Sequence, residues 1–338
     1  MTEKNICFVT GGAGFIGSHL CEALLRDNRI VITIDNFDPF YDPAIKQRNI
    51  DSIQKMMIDE KIESSNFRLI EGDIRDFGLL EKIFSELKQY DRDITILHIA
   101  AKAGVRPSIE NAPLYTDVNI IGTQNIFEVA KSFGVKKIIY ASSSSVYGEN
   151  KKVPFSEEDS VDNPISPYAM TKKSNELLAH TYHHLYAIDT IGLRFFTVYG
   201  PRQRPDLAIN KFTGMIDSSE AIPFYGDGTT RRDYTYIDDI IDGVLKSIHY
   251  IESHDNIYEI FNLGESQTTT LRELVSLIEN ALGKKAKLNK LPLQPGDVSQ
   301  TYADISKAKR IIGYHPTTLI TEGINKFAAW HKAQEHQA

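Results

Sequence analysis

The sequence predicts an α/β protein, a doubly wound parallel sheet with a smaller C-terminal lobe. Three observations carry this reading. Apolar, β-branched runs alternate with stretches of helical periodicity, as in sheets buried on both faces. A glycine-rich loop, TGGAGFIG, sits between the first such run and the first helix. After Phe195 the alternation gives way to GPRQRPD and FYGDGTTRRDY, which are rich in proline, glycine and arginine.

The elements follow in order. Strands are predicted at 6–10, 30–34, 67–70, 94–99, 137–141 and 190–195, each a short apolar run. Helices fit between them at 14–26, 79–88, 113–133 and 168–187. Beyond the break come a strand at 258–263, a helix at 271–282 and a closing helix at 321–333. The sheet domain is assigned residues 1–196 and 234–265, and the second lobe residues 197–233 and 266–338. The sequence shows no repeat, low-complexity tract or flexible linker, so the lobe is expected to pack closely on the sheet domain.

Composition narrows the function. The chain has 338 residues, 41% hydrophobic and 25% charged, with a net charge of −7. Nothing resembles a basic stripe for nucleic acid, and the acidic balance gives no attraction to an anionic membrane. The N-terminus passes straight into a strand pattern without a long apolar segment. No run approaches the roughly 18 apolar residues of a membrane span. The two cysteines, Cys7 and Cys21, lack ligand spacing and read as small core residues. Three histidines on one predicted helix, His180, His183 and His184, read as surface or interface residues, and no metal is expected. These features point to a cytoplasmic protein.

In TGGAGFIG, Gly11, Gly14 and Gly17 are three apart, between a strand and a helix. Backbone N–H groups at that helix N-terminus suit a pyrophosphate, and missing Cβ atoms let it approach. Asp35 ends the second strand, with Asn36 after it. A carboxylate there can accept both hydroxyls of an adenosine ribose and repel a 2′-phosphate, which favours NAD over NADP. Gly72-Asp73-Ile74 after the third strand suits the adenine edge.

Tyr168 and Lys172 form Y-x-x-x-K at the start of a helix, after Ser166-Pro167. At i, i+4 they share one face. A nearby cation lowers a phenol's pKa, so Tyr168 can serve as a base near neutral pH. Upstream, YASSSSVYG places four serines, Ser142 to Ser145, where a strand ends.

With these motifs the chain resembles the extended short-chain dehydrogenase/reductase family, and within it the nucleotide-sugar 4-epimerases. The resemblance covers nearly the whole chain through TGGAGFIG, GDIRD, HIAAKAGV, YASSSSVYG, YAMTK, RFFTVYGP, RRDYTYIDD and QPGDVSQTYAD. It implies a Rossmann domain holding NAD, a hydride taken from C4 of the sugar, and its return to the other face of a 4-keto intermediate. It implies that Tyr168 is the base, that Lys172 holds the nicotinamide ribose, and that Ser143 bonds the 4-oxygen. Phe15, Ile16, Ala101, Lys102, Asn119 and Phe195 would line the cofactor with the glycines, Asp35, Asn36, Asp73 and Ile74. Related enzymes pair the helices at 113–133 and 168–187 into a dimer interface, so a homodimer is expected.

Four segments, DNFDPFYDPAIK, AKAGVRPSIENAP, RFFTVYGPRQRPDLA and PLQPGDVSQTYADISKAK, look like UDP-glucuronate 4-epimerases in particular. Related dehydratases and decarboxylases carry acidic residues before V-Y-G, whereas this chain has Ser144 and Ser145, which cannot serve as acid and base. Thr197 and Arg204, with those serines, resemble the contacts to the sugar carboxylate, and a guanidinium can grip a carboxylate through two parallel bonds. The bland fate of Arg204 is an ion pair with Asp206. Many UDP-galactose epimerases have arginine where this chain has Gln294. Arg106, Tyr225, Arg232 and Asp297 complete the implied substrate set, Arg232 for the diphosphate and Asp297 for the UDP ribose, with a core aromatic as the alternative for Tyr225. The alternative is a 4-epimerase for a neutral sugar, UDP-glucose or UDP-N-acetylglucosamine. A non-catalytic dinucleotide sensor would carry a damaged Tyr/Lys pair, and here both residues are intact.

Overall fold

A computed structural model describes residues 4–90, 92–292 and 298–335. In chain order the first half carries β1 (Ile6–Thr10), α1 (Phe15–Arg26), β2 (Ile30–Asp35), α2 (Pro43–Asp59), β3 (Phe67–Glu71), α3 (Phe77–Leu87), β4 (Ile94–His98), α4 (Val105–Glu110), α5 (Ala112–Thr116), α6 (Gly122–Phe133), β5 (Lys137–Ser143), α7 (Pro167–Tyr186) and β6 (Asp189–Phe195). The remainder is β7 (Thr197–Tyr199), α8 (Ala208–Asp217), β8 (Ala221–Tyr225), β9 (Arg231–Arg232), β10 (Tyr234–Tyr236), α9 (Ile237–Ser253), β11 (Tyr258–Leu263), β12 (Thr269–Thr270), α10 (Leu271–Leu282), β13 (Lys287–Leu291), α11 (Ser306–Ile312) and α12 (Ile320–Glu335).

The seven-stranded sheet runs β11-β6-β5-β4-β1-β2-β3. Its pairings from β3 to β5 are parallel, with helices as crossovers. β1 is fully buried, which its unbroken apolar run requires. One core cluster joins Phe8, Ile34, Ile96 and Ile138 on the strands to Phe84, Ile126 and Phe127 on α3 and α6. The strand order reverses between β1 and β4, and such a switch point opens a ligand crevice beyond the strands' C-terminal ends. Register places Thr10 beside His98 at that end.

The chain divides into two compact units. One holds residues 1–148, 160–194 and 241–261, and the other residues 149–159, 195–240 and 262–338. In the second unit, β13 lies parallel to β8, β10 parallel to β7, and β12 antiparallel to β9.

Most predicted elements stand within a residue or two of their expected bounds. Two 17-residue helices come in addition. α2 starts at Pro43, is capped by the Asp42 carboxylate accepting the Ala44 N–H, and buries Ile50, Ile53, Met56 and Met57 at helical spacing. α9 opens with Asp238 and Asp239 in its first turn, where carboxylates complement the helix dipole. The helix predicted at 113–133 is interrupted: Asp117–Ile121 forms a π-helical turn between α5 and α6. Among the described residues no helix is long and apolar enough to cross a membrane.

Candidate active site

The glycine loop has the close backbone approach and free helix N-terminus expected of it. Gly11 has φ +77, and a Cβ there would stand 2.9 Å from Ala100 Cα. A Cβ on Gly17 would meet the Gly11 carbonyl oxygen at 2.0 Å, so the loop closes on the helix only with glycine. α1 begins at Gly14 with no side-chain cap and no acidic residue in its first turn. Phe15, Ile16 and Gly17 therefore offer first-turn N–H groups without intrahelical partners, the donor set that a pyrophosphate needs.

Asp35 is buried at the end of β2, but it does not stand free. Its Oδ2 accepts from the Ala13 N–H at 3.1 Å and its Oδ1 from the Phe37 N–H at 2.9 Å. Lys46 of α2, also buried, pairs with Oδ1 at 3.3 Å. Asp73 accepts from Asn36 Nδ2 at 2.8 Å and from both Nε and Nη2 of Arg75. The Arg75 guanidinium holds the Asp73 carboxyl down at about 2. Ile74 beside it is buried.

Asn119 sits in the π turn and is a three-way clasp. Its Oδ1 accepts from the Lys102 N–H at 2.7 Å, and its Nδ2 donates to the Lys102 carbonyl at 2.9 Å and to Thr171 Oγ1 at 3.0 Å. The wider π turn, a recurrent local device at functional sites, carries this residue. Lys102 lies one residue past Ala101, and its Nζ pairs with Asp38 at 2.6 Å. Phe195, at the end of β6, is buried.

Tyr168 and Lys172 occupy the first two turns of α7, which Ser166 caps by accepting the Ala169 N–H. Lys172 is 3% exposed, with Nζ 5.8 Å from the Tyr168 ring centroid. Its ammonium donates to the Ala141 carbonyl at 2.7 Å, tying α7 to β5. Burial lowers its pKa to about 8. The serine run divides its work. Ser142 Oγ donates to Glu176 Oε1 at 2.7 Å. Ser143 Oγ accepts the Ser145 N–H at 3.2 Å, capping the 3-10 turn Ser144–Tyr147. Among the described residues, the buried Ser145 Oγ has no hydrogen-bond partner. Arg106, on α4, is exposed.

The other substrate candidates belong to the second unit. Thr197 donates its N–H to the Asp233 carbonyl at 3.0 Å, one residue past Arg232. Arg232 Nη1 donates to the Arg231 carbonyl at 2.8 Å. Tyr225 ends β8, opposite Leu291 of β13. Arg204 forks onto Asp206 through Nε at 3.0 Å and Nη2 at 2.7 Å. Asp297 lies outside the described residues.

Some polar residues of the first unit escape motif reading. His98 is buried between Thr10 Oγ1 at 2.8 Å and Thr123 Oγ1 at 2.9 Å, and burial pushes its pKa down to about 3. This neutral imidazole links the glycine loop to the helix that follows the π turn. Glu176 and Arg194 form a buried ion pair. The signal for both was present: a lone charged or titratable residue inside a buried apolar run requires a partner.

The profile of the GDP-mannose 4,6 dehydratase family matches residues 8–327. A UDP-glucuronate 4-epimerase of Thermodesulfobacterium geofontis is 42% identical over 325 residues, covering 96% of this chain and 95% of its own. The crystal structure of Bacillus cereus UDP-glucuronic acid 4-epimerase with UDP-glucuronic acid and NAD superposes with a TM-score of 0.87 at 37% identity, covering 97% of this chain and 99% of that one. A Thermotoga maritima UDP-glucose 4-epimerase solved with UDP-glucose gives 0.85 at 31% identity, covering 98% and 99%. A matched profile over nearly the full length, the reversed strand order and the glycine loop agree: this chain belongs to the GDP-mannose 4,6 dehydratase family of extended short-chain dehydrogenases/reductases.

Proposed function

We propose that this protein is an NAD-dependent 4-epimerase that interconverts UDP-glucuronate and UDP-galacturonate. The observation that carries the reading is full-length similarity to UDP-glucuronate 4-epimerases together with an intact Tyr168/Lys172 pair. Bound NAD would supply the hydride acceptor for C4 and the donor for its return. Tyr168 removes the proton from the sugar 4-hydroxyl and later gives it back. Lys172 supplies the cation beside the phenol, and Ser143 bonds the 4-oxygen. Ser144, Ser145, Thr197 and Arg204 are the proposed ligands of the sugar carboxylate, Arg106, Tyr225, Arg232 and Asp297 those of the remaining UDP-sugar.

The carboxylate sets a chemical constraint. Oxidation at C4 makes a β-keto acid, which loses CO2 when the C5–carboxylate bond aligns with the carbonyl π system. Hydroxyls and a guanidinium can hold that bond away from alignment without offering an acid to the resulting enolate. Ser144 and Ser145 also leave the dehydration of related enzymes without its acid and base.

One observation favours the neutral-sugar alternative: Arg204 is engaged by Asp206. A panel of UDP-sugars, with epimers read by NMR, separates the readings. UDP-galactose turned over faster than UDP-galacturonate, with Arg204→Ala indifferent to both, would promote the neutral sugar.

We also propose a homodimer in the cytoplasm. Met170 and Leu177, seven residues apart on α7, are exposed, as is Ile121 of the π turn. Such a face is the kind that a second copy covers. Leu177→Glu should shift the mass seen by light scattering from dimer to monomer, and a monomeric wild type would end this reading. Both cysteines are free and buried, consistent with a reducing compartment.

A further inference from the structure

We infer that Glu176 and Arg194 are positioning residues, a buried ion pair that sets the serine turn in register with the Tyr168/Lys172 helix. The inference rests on the epimerase reading for its assay. Glu176 is 1% exposed and Arg194 is 2% exposed. Arg194 Nε and Nη2 donate to the two Glu176 carboxylate oxygens, each at 2.9 Å. Three contacts to two further residues, Ser142 and Tyr147, close the cluster. Ser142 Oγ donates to Oε1 at 2.7 Å, Arg194 Nη1 donates to Tyr147 Oη at 2.9 Å, and the guanidinium lies 4.8 Å from the Tyr147 ring centroid.

These residues come from different elements. Glu176 is on α7, Arg194 on β6, Ser142 on β5, and Tyr147 ends the turn that the serines begin. Ser143, Ser144 and Ser145 therefore lie between two tethers, at Ser142 and Tyr147, that lead to one carboxylate. Glu176 is four residues after Lys172, which is four after Tyr168, so all three share a face of α7. Lys172 adds a stitch to Ala141, one residue before Ser142. Helix and turn are thus fixed to each other at adjacent points.

Stability does not explain the arrangement. Desolvating two charges costs about as much as their attraction returns, and apolar residues of similar volume often stabilise as well or better. An ion pair differs from an apolar contact in direction: the fork fixes angles as well as distances. The base and the hydrogen bond to the 4-oxygen need that precision, since a misplacement of about 1 Å can cost 100-fold in rate.

The test is the double replacement Glu176→Leu with Arg194→Met in the full chain. Melting temperature, bound NAD, kcat and KM are measured on whichever UDP-sugar the wild type epimerises. The expected result is a melting temperature near that of the wild type, retained NAD, little change in KM, and kcat lower by roughly 10- to 100-fold. A folded, NAD-loaded variant with wild-type kcat overturns the inference. If the replacement fails to fold, Ser142→Ala with Tyr147→Phe decides, since it strips both tethers and leaves the pair. A lower kcat at unchanged KM and melting temperature then supports positioning, and wild-type kcat overturns it. A wild type that epimerises no UDP-sugar would instead sink the proposed function.

Discussion

At the residue scale, the proposed catalytic and binding groups are few, and replacing each has a distinct expected signature. Tyr168→Phe should keep fold and cofactor but lower epimerisation by about 10²–10⁴-fold, the usual loss with a general base. Near-wild-type turnover would exclude Tyr168 as the base. Ser143→Ala should cost less, because it removes a single hydrogen bond. Arg204 offers a sharper question, since Asp206 already fills its fork. Under the proposed role of Arg204 a substrate carboxylate competes with Asp206, so Asp206→Asn should lower KM for UDP-glucuronate and leave UDP-glucose unaffected. Equal KM values in variant and wild type would remove Arg204 from the carboxylate site. Asp35→Ala should weaken NAD by roughly 1–3 kcal/mol by calorimetry, because the adenosine ribose hydroxyls lose their proposed acceptor.

At the element scale, the cofactor loop and the π turn are the parts with least tolerance. Gly17→Ala drives a methyl to within 2.0 Å of the Gly11 carbonyl oxygen, a backbone atom that cannot swing away. The loop must open, which is expected to cost about 1–3 kcal/mol of stability and to release NAD during purification. Absorbance of the purified protein and a denaturant midpoint check this, and a stable variant still carrying NAD would contradict it. The π turn aligns Asn119 with both Lys102 and Thr171, so one side chain joins the segment after β4 to α7.

At the scale of the whole molecule, pH acts on the second unit through buried acids. Burial, with Asp239 and Asp233 adding to it against an opposing Lys309, pushes Glu265 up from 4.5 to about 8. Glu265 is buried, and among the described residues its Oε2 has no hydrogen-bond partner. Between pH 4.5 and 8 the folded chain keeps a proton that the unfolded chain has released. Stability therefore falls as pH rises through that window and levels off above it. Glu265→Gln removes this term, so its melting temperature should gain on the wild type from pH 5 to 8 and hold the difference at pH 9. A difference independent of pH would refute the assignment. Asp233, raised by burial to about 6, acts with the same sign at lower pH in both proteins.

The parallel sheet, the glycine loop and the Tyr168/Lys172 pair are legible in the amino-acid order alone. All three are local: apolar runs demand burial on both faces, positive φ and close approach demand glycine, and i, i+4 spacing puts two side chains on one helix face. The break after Phe195 was also legible, though not the helix α9 that follows, nor the π turn within the helix at 113–133. Only the tertiary structure decided which charge answers which. Asp35 faces Lys46, Lys102 reaches back 64 residues to Asp38, and Arg194 finds Glu176 and Tyr147. The serine run shows the same division. Its place at a strand end was visible, but the tie from Ser142 to Glu176 spans 34 residues. Burial obliges a charge or hydroxyl to find a partner, whereas the packing of distant segments chooses which partner it is.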